Sequence, residues 1–131
     1  MLSFTSKQYN TAQPLTDTLS WSGDADLTGC TVYWCYWLAG ESPATAVCRE
    51  ATVVDAEAME VSYTPVLGDV LNPAVYEAEW RVVFPTGEEQ SVPDDGDILW
   101  TVLPAPHIGP LRGVLQNGLD SVILSGVGLT A

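Results

Sequence analysis

The sequence predicts an all-β protein: an antiparallel β-sandwich of about seven strands in residues 1–103, followed by a linker and an apolar arm in residues 104–131. Three observations predict it. Runs in which apolar and polar residues alternate recur along the first 103 residues, clusters of Gly, Pro and Asp separate them at short, regular spacing, and few windows there carry an apolar stripe of helical period. With 131 residues, 47% of them apolar, and a mean hydropathy of +0.14, the composition is that of one packed domain rather than a disordered acidic chain.

Residues 16–21 (TDTLSW) are the first alternating run, ended by the turn-prone SGDADLTG. Residues 30–38 (CTVYWCYWL) follow, within fourteen uncharged residues, 27–40. Side chains of a strand point alternately to its two faces, so Cys30, Val32, Trp34 and Tyr36 share one face and Thr31, Tyr33, Cys35 and Trp37 the other. The first set is read as core. After the loop AGESPATA, residues 47–55 (VCREATVVD) and, across a short turn, residues 59–65 (MEVSYTP) read as strands. GDVLNP then separates them from residues 75–84 (VYEAEWRVVF), where Tyr76, Ala78, Trp80, Val82 and Phe84 alternate with Val75, Glu77, Glu79, Arg81 and Val83. That pattern is a half-buried strand with a charged outer face. PTGEEQ and VPDDGD are turns, and residues 98–103 (ILWTVL) close the body.

Charge separates body from tail. Seventeen acids against four bases give a net charge of -13, and residues 1–103 hold sixteen of those acids and three of the bases. Such a surface repels a phosphate backbone, so nucleic acid is not an expected partner. Residues 104–131 carry only Arg112, Asp120 and His107. Pro104, Pro106 and Pro110 lack ladder donors, which makes PAPHIGP an extended linker. Beyond it Leu111, Val114, Leu115, Leu119, Val122 and Ile123 fall at helical spacing, but Gly113 and Gly118 would cost a helix about 1 kcal/mol each. The segment DSVILSGVGL, with Leu124, reads equally well as a strand. In either form this neutral apolar arm is an aggregation hazard unless it is covered.

No basic segment followed by an apolar run opens the chain, and no uncharged apolar run approaches the roughly 20 residues that span a bilayer, so the expectation is a soluble protein made in a cytoplasm, without a membrane partner. Three cysteines, Cys30, Cys35 and Cys48, fit neither an even disulfide framework nor a CxxC metal pair. They are expected as reduced, mostly buried thiols, with a bridge from Cys48 to a neighbouring strand as the alternative.

The order of motifs resembles a known family. FTSKQYNTAQPL at 4–15, DLTGCTVYW at 26–34, VVDAEAMEVSYTP at 53–65, VYEAEWRVVFPTGEEQSVPDDG at 75–96 and ILWTVL at 98–103 together resemble the N-terminal immunoglobulin-like domain of tailed-phage baseplate upper proteins, over roughly residues 4–103. The resemblance implies an immunoglobulin-like sandwich serving as an attachment module in a virion. The chain departs from the family in two ways. Residues 104–131 do not read as a shaft or receptor-binding module, so a structural role is the expectation rather than host recognition by these residues. Tyr33, Cys35 and Trp37 also stand where the family tends to be more polar.

Catalytic chemistry finds little footing. The one histidine, His107, lies in the Pro-rich linker, and no GxSxG, P-loop or HExxH string occurs. Cys30 and Cys35 point to opposite faces of one strand and cannot share a tetrahedral ion. Asp94, Asp95 and Asp97 around Gly96 offer oxygens of the kind Ca²⁺ takes, but an Asp-Gly turn accounts for them, and no metal or cofactor is expected. Glu77 and Glu79 read as solubilising charge.

The candidate interface is therefore Tyr33, Cys35 and Trp37 together with Leu111, Val114, Leu115, Leu119, Val122, Ile123 and Leu124 of the arm. Aromatic side chains bury roughly 150–250 Å² each, so a bare pair with Cys35 approaches the patch size that soluble monomers seldom expose without use. Another virion subunit, the chain's own arm, or a stacked sugar ring would each cover it. The expected function is a non-enzymatic phage virion protein that docks on tail, baseplate or capsid subunits, with a homo-oligomer expected from virion symmetry. The alternative is a ligand-binding sandwich for host-surface carbohydrate.

Overall fold

The longest alternating run of the sequence becomes the strand on which the rest is ordered. The computed structural model describes residues 3–21, 23–93 and 96–105, and these form nine strands: β1 Ser3–Lys7, β2 Leu15–Thr18, β3 Thr31–Leu38, β4 Val47–Glu50, β5 Thr52–Asp55, β6 Glu60–Tyr63, β7 Ala74–Val83, β8 Glu89–Val92 and β9 Ile98–Leu103. Two single 3₁₀ turns, Pro43–Thr45 and Leu67–Val70, complete the described elements. The protein is all-β, and no helix among the described residues is long and apolar enough to cross a membrane.

One edge of β7 pairs with β3, from Thr31 opposite Val83 to Leu38 opposite Tyr76. Its other edge is shared, with β9 along Ala74 to Ala78 and β8 along Trp80 to Val83. Adding β1 beside β9 and β4 beside β3 completes a six-stranded sheet, and β2, β6 and β5 form a second sheet of three.

Two features differ from the expected layout of about seven antiparallel strands. β1 runs parallel to β9, because chain-distant segments face no hairpin constraint on direction. The single run of residues 47–55 divides at Ala51, with β4 in the large sheet and β5 in the small one. Ala51 N–H donates to Val32 O at 2.8 Å at this crossing point.

The sheets face each other across an aromatic core. Trp34, Trp80 and Trp100 are fully buried, and the Trp34 ring lies 4.7 Å from Trp80, 5.8 Å from Trp100 and 6.5 Å from Tyr63 of the small sheet. Val32, Ala78 and Val82 are buried on the same face. Indole donors here find partners outside the ladder: Trp80 Nε1–H donates to Asp17 at 2.9 Å and Trp100 Nε1–H to Ser6 Oγ at 3.0 Å. Trp34 Nε1 has no hydrogen-bond partner among the described residues.

The expectation of three reduced thiols is corrected. Cys35 and Cys48 are directly opposite on β3 and β4, with Cα atoms 4.1 Å apart, and form a disulfide, while Cys30 is free. The period of two placed Cys35 on the outer face, but only strand register brings Cys48 to it. The bond found is the alternative bridge from Cys48 to a neighbouring strand.

Register also gives the body two unlike ends. At one end lie the close of β1, β3, β6 and β9, the start of β2, β4 and β7, and the loops 8–14, 39–46 and 64–73. Those loops contain two charged residues, Glu41 and the buried Asp69. At the other end, Asp24, Asp26, Asp55, Glu57, Glu60, Glu88 and Glu89 sit in or beside the turns.

Candidate functional site

The outer face of β3 is built row by row with its neighbours. Tyr33 lies between Glu50 of β4 and Arg81 of β7, Cys35 between Cys48 and Glu79, and Trp37 beside Glu77. Cys35 has no exposed surface and Trp37 keeps 3%, with its Nε1–H donating to Glu77 Oε1 at 3.1 Å, so of the three only Tyr33 is half-exposed. Carboxylates border this strip: Glu79 accepts from Arg81 Nη2 at 2.6 Å and from Ser91 Oγ at 3.3 Å. The structure thus brings Tyr33, Cys35 and Trp37 into one column whose exposed aromatic surface is small. Leu111, Val114, Leu115, Leu119, Val122, Ile123 and Leu124 lie outside the described residues, as do His107, Asp94 and Asp95. Among the described residues, no group of three or more His, Cys, Asp or Glu could hold a metal ion.

The main polar feature of the charge-poor end is a residue the sequence analysis passed over. Asp69, in the Leu67–Val70 turn, is 1% exposed. Its Oδ1 accepts from Tyr36 Oη at 2.6 Å and Arg49 Nε at 2.8 Å, and its Oδ2 from Tyr63 Oη and from Val66 N–H at 3.1 Å. The donors come from β3 and β4 of one sheet, β6 of the other and the loop itself, so one carboxylate ties both sheets to the turn. Burial pushes the Asp69 carboxyl up, but the bonds from Tyr36, Tyr63, Arg49 and Val66 outweigh it and hold the group below the usual carboxylate range. Burial, then the bond to Asp69, pushes both tyrosine hydroxyls well above their ordinary value. Perturbed groups also mark active sites, but the Asp69 side chain has no exposed surface to offer a substrate. Its geometry is that of a structural clasp. The apolar string TPVLGDVLNP around a single Asp was the only sequence signal for it.

Beside the clasp, a cleft of about 300 Å³ opens where the chain crosses from β4 to β5, lined by Arg49, Glu50, Thr52, Ser62, Tyr63 and Thr64 among others. Arg49 spends Nε on Asp69 and keeps 41% of its side chain exposed.

The third feature is the apolar surface of the same end. Nine large hydrophobic residues are exposed among the described ones, and seven gather here: Leu38, Val47, Val66, Leu67, Leu71, Val75 and Leu103, each between 38% and 45% exposed. Leu99 and Val54 lie elsewhere. The chain leaves the sandwich at this end. Gln8 pins the exit, its Oε1 accepting from Ala105 N–H at 3.2 Å and its Nε2–H donating to Leu71 O at 2.7 Å. Comparison of the sequence with protein-family models and with curated proteins finds no match.

Proposed function

We propose that the chain is a non-enzymatic structural or adaptor protein of a phage virion, an immunoglobulin-like sandwich that docks on neighbouring subunits through apolar surface and its C-terminal arm. Topology supports the immunoglobulin-like part. The β2-β6-β5 sheet and the β9-β7-β3-β4 run correspond in order to strands B-E-D and G-F-C-C′ of that fold. Trp34 occupies the place of the buried tryptophan of strand C, and Tyr76, near the start of β7, donates its hydroxyl to Asn72 O at 3.1 Å in the manner of a tyrosine corner. Two residues on, Ala78 stands where antibody domains carry a cysteine of the inter-sheet disulfide, and the Trp34 and Trp80 pair fills the space between the sheets.

The observation that carries the docking role is the polarity of the body. Exposed apolar side chains at one end, with carboxylates crowded at the other, suit a module that seats that end on a partner and holds its charged end in solvent. The resemblance of the motif order to that of baseplate upper proteins, read from the sequence, is what supports a virion as the place. Mass spectrometry of purified particles of the source phage tests it: the chain is expected in stable stoichiometry with tail, baseplate or capsid proteins. Its absence from washed particles, with no binding to their subunits, would reject the role.

The cleft beside Arg49 favours a second reading, a small polar ligand such as a host-surface sugar, because Arg49, Glu50 and the hydroxyl residues Thr52, Ser62 and Thr64 line one concavity. Titration with neutral and acidic oligosaccharides, followed by amide shifts at Ser62 and Thr64, separates it from the first.

A further inference from the structure

We propose that the cleft beside Arg49 binds a single carboxylate carried on a hydroxylated ring, the chemistry of a uronic acid. This rests on the second reading of the cleft, as a small-ligand site, and names the group recognised there.

The cleft exists because the chain changes sheets. β4 ends at Glu50 in the large sheet, and β5 begins at Thr52 in the small one, opposite Ser62. Tyr63 and Thr64, next along the same edge of β6, therefore have no strand partner on that side, and the cleft of about 300 Å³ opens there. That volume is at the low end for small-molecule sites and suits one ring rather than a chain of them.

The guanidinium is fixed before any ligand arrives. Arg49 sits opposite Trp34 on the inner face of β4, and its Nε–H donates to the buried Asp69 at 2.8 Å. Its Nη2 lies over the Leu67–Val70 turn, 3.9 Å from where a Cβ on Gly68 would stand. Nη1 and Nη2 donate to no acceptor among the described residues, so the end of the fork is open. Arg81 differs, because its Nη2 is taken by Glu79 at 2.6 Å. Two parallel N–H groups of a planar guanidinium match the two oxygens of a carboxylate, and a fork already oriented loses less freedom on pairing.

Hydroxyls supply the rest. Thr52 and Ser62 are cross-strand partners, so their side chains share a face, and Thr64 follows Ser62 at the strand period. All three line the cleft with Arg49. A hydroxyl both donates and accepts, which suits the hydroxyls of a sugar ring.

Charge sets an upper limit. Asp69 already offsets Arg49, Glu50 stands at the rim, and the chain carries a net charge of -13. Long-range attraction of an anion therefore contributes little, and recognition depends on hydrogen bonds at contact. Arg49 is the one cation among the lining residues, so a phosphate dianion or a polyanionic chain would add repulsion with nothing to meet it.

Titration of the full chain, followed in ¹H–¹⁵N spectra, tests this with D-glucuronate, D-glucose, glucose 6-phosphate and acetate as probes. Glucuronate is expected to shift the Arg49 Nε–Hε signal and the Ser62 and Thr64 amides, with a dissociation constant about tenfold or more below those of the other three. Arg49→Lys, which keeps the charge and loses the fork, is expected to abolish that preference. Thr64→Val, outside the Asp69 clasp, is expected to weaken glucuronate binding and keep the preference. Circular dichroism verifies both folds, and if Arg49→Lys is unfolded the Nε–Hε signal of the native chain decides in its place. Glucose binding as tightly as glucuronate would overturn the carboxylate and leave the cleft a sugar site, whereas no shift with any probe would overturn both ideas. Acetate matching glucuronate, tighter binding of glucose 6-phosphate, or an unchanged preference in Arg49→Lys would each overturn the proposal as well.

Discussion

The two ends of the sandwich solve the same problem, closing loops between strands, with opposite chemistry. At the acidic end short carboxylates cap their own turns: Asp26 accepts from Thr28 N–H at 2.9 Å and Asp55 from Ala58 N–H at 3.1 Å, while Trp21 meets Phe84 edge-on at 5.6 Å. Each bond is local and wet. At the apolar end one carboxylate is taken out of water and satisfied by four donors from three strands and its own loop. The difference teaches where this fold places its charge. A solvated acid costs little and repels neighbours, whereas a buried and fully bonded one can organise an end whose loops carry a single exposed charge, Glu41.

The largest test of that contrast is Asp69→Ala. It strands Tyr36, Tyr63 and Arg49 around an empty site, and urea unfolding is expected to show a loss of about 3–5 kcal/mol; a loss below about 1 kcal/mol would mean that the clasp does not organise the apolar end. Next is the Cys35–Cys48 bond, which links β3 to β4 in the half of the sheet nearer that end. Opening it by the double Ser variant releases a closed loop of thirteen residues' separation and is expected to cost about 3 kcal/mol in the same assay.

A smaller effect comes from pH. The folded Asp69 carboxyl lies below its unfolded value, so its stabilisation is present above about pH 4, the ordinary value for Asp, and is lost as pH falls through the depressed folded value. The gap in stability between the native chain and Asp69→Asn should therefore narrow as the solution is acidified from pH 5 toward that lower range. A gap independent of pH would remove the charged form of Asp69 from the account. Smallest of all, Glu57→Gln or Glu88→Gln at the acidic end should change stability by no more than about 0.5 kcal/mol, with a sign toward stabilisation that disappears in high salt. A larger loss there would show that the acidic turns are as interlocked as the apolar end.

Much of the strand pattern could be read directly. The alternation in VYEAEWRVVF foretold that Ala78, Trp80 and Val82 would be buried and that Glu77, Glu79 and Arg81 would face outward, because a strand reports its two faces every second residue. β1 was not legible, since SFTSK carries little apolar signal and is held by its parallel register on β9. Nor was the break at Ala51, which lies inside an unbroken β-prone run and exists because that run serves two sheets. For the candidate site, Tyr33, Cys35 and Trp37 were rightly placed on one face, but face alone does not measure exposure. The chain pairs Cys35 with Cys48 and hydrogen-bonds Trp37 to Glu77 forty residues away, and neither contact has a periodicity to betray it.

The sequence by itself determined the all-β class, the inner face of the main strands and the separation of an acidic body from a neutral tail, because these follow from local alternation and from composition. The disulfide, the clasp on Asp69 and the gathering of exposed aliphatic residues at the end where the chain departs were decided only by tertiary structure. Asp69 is 33 residues from Tyr36, and Leu38, Leu71 and Leu103 come from three separate strand ends and loops. Their proximity depends on strand register, which is settled by the packing of whole sheets rather than by any one stretch of chain.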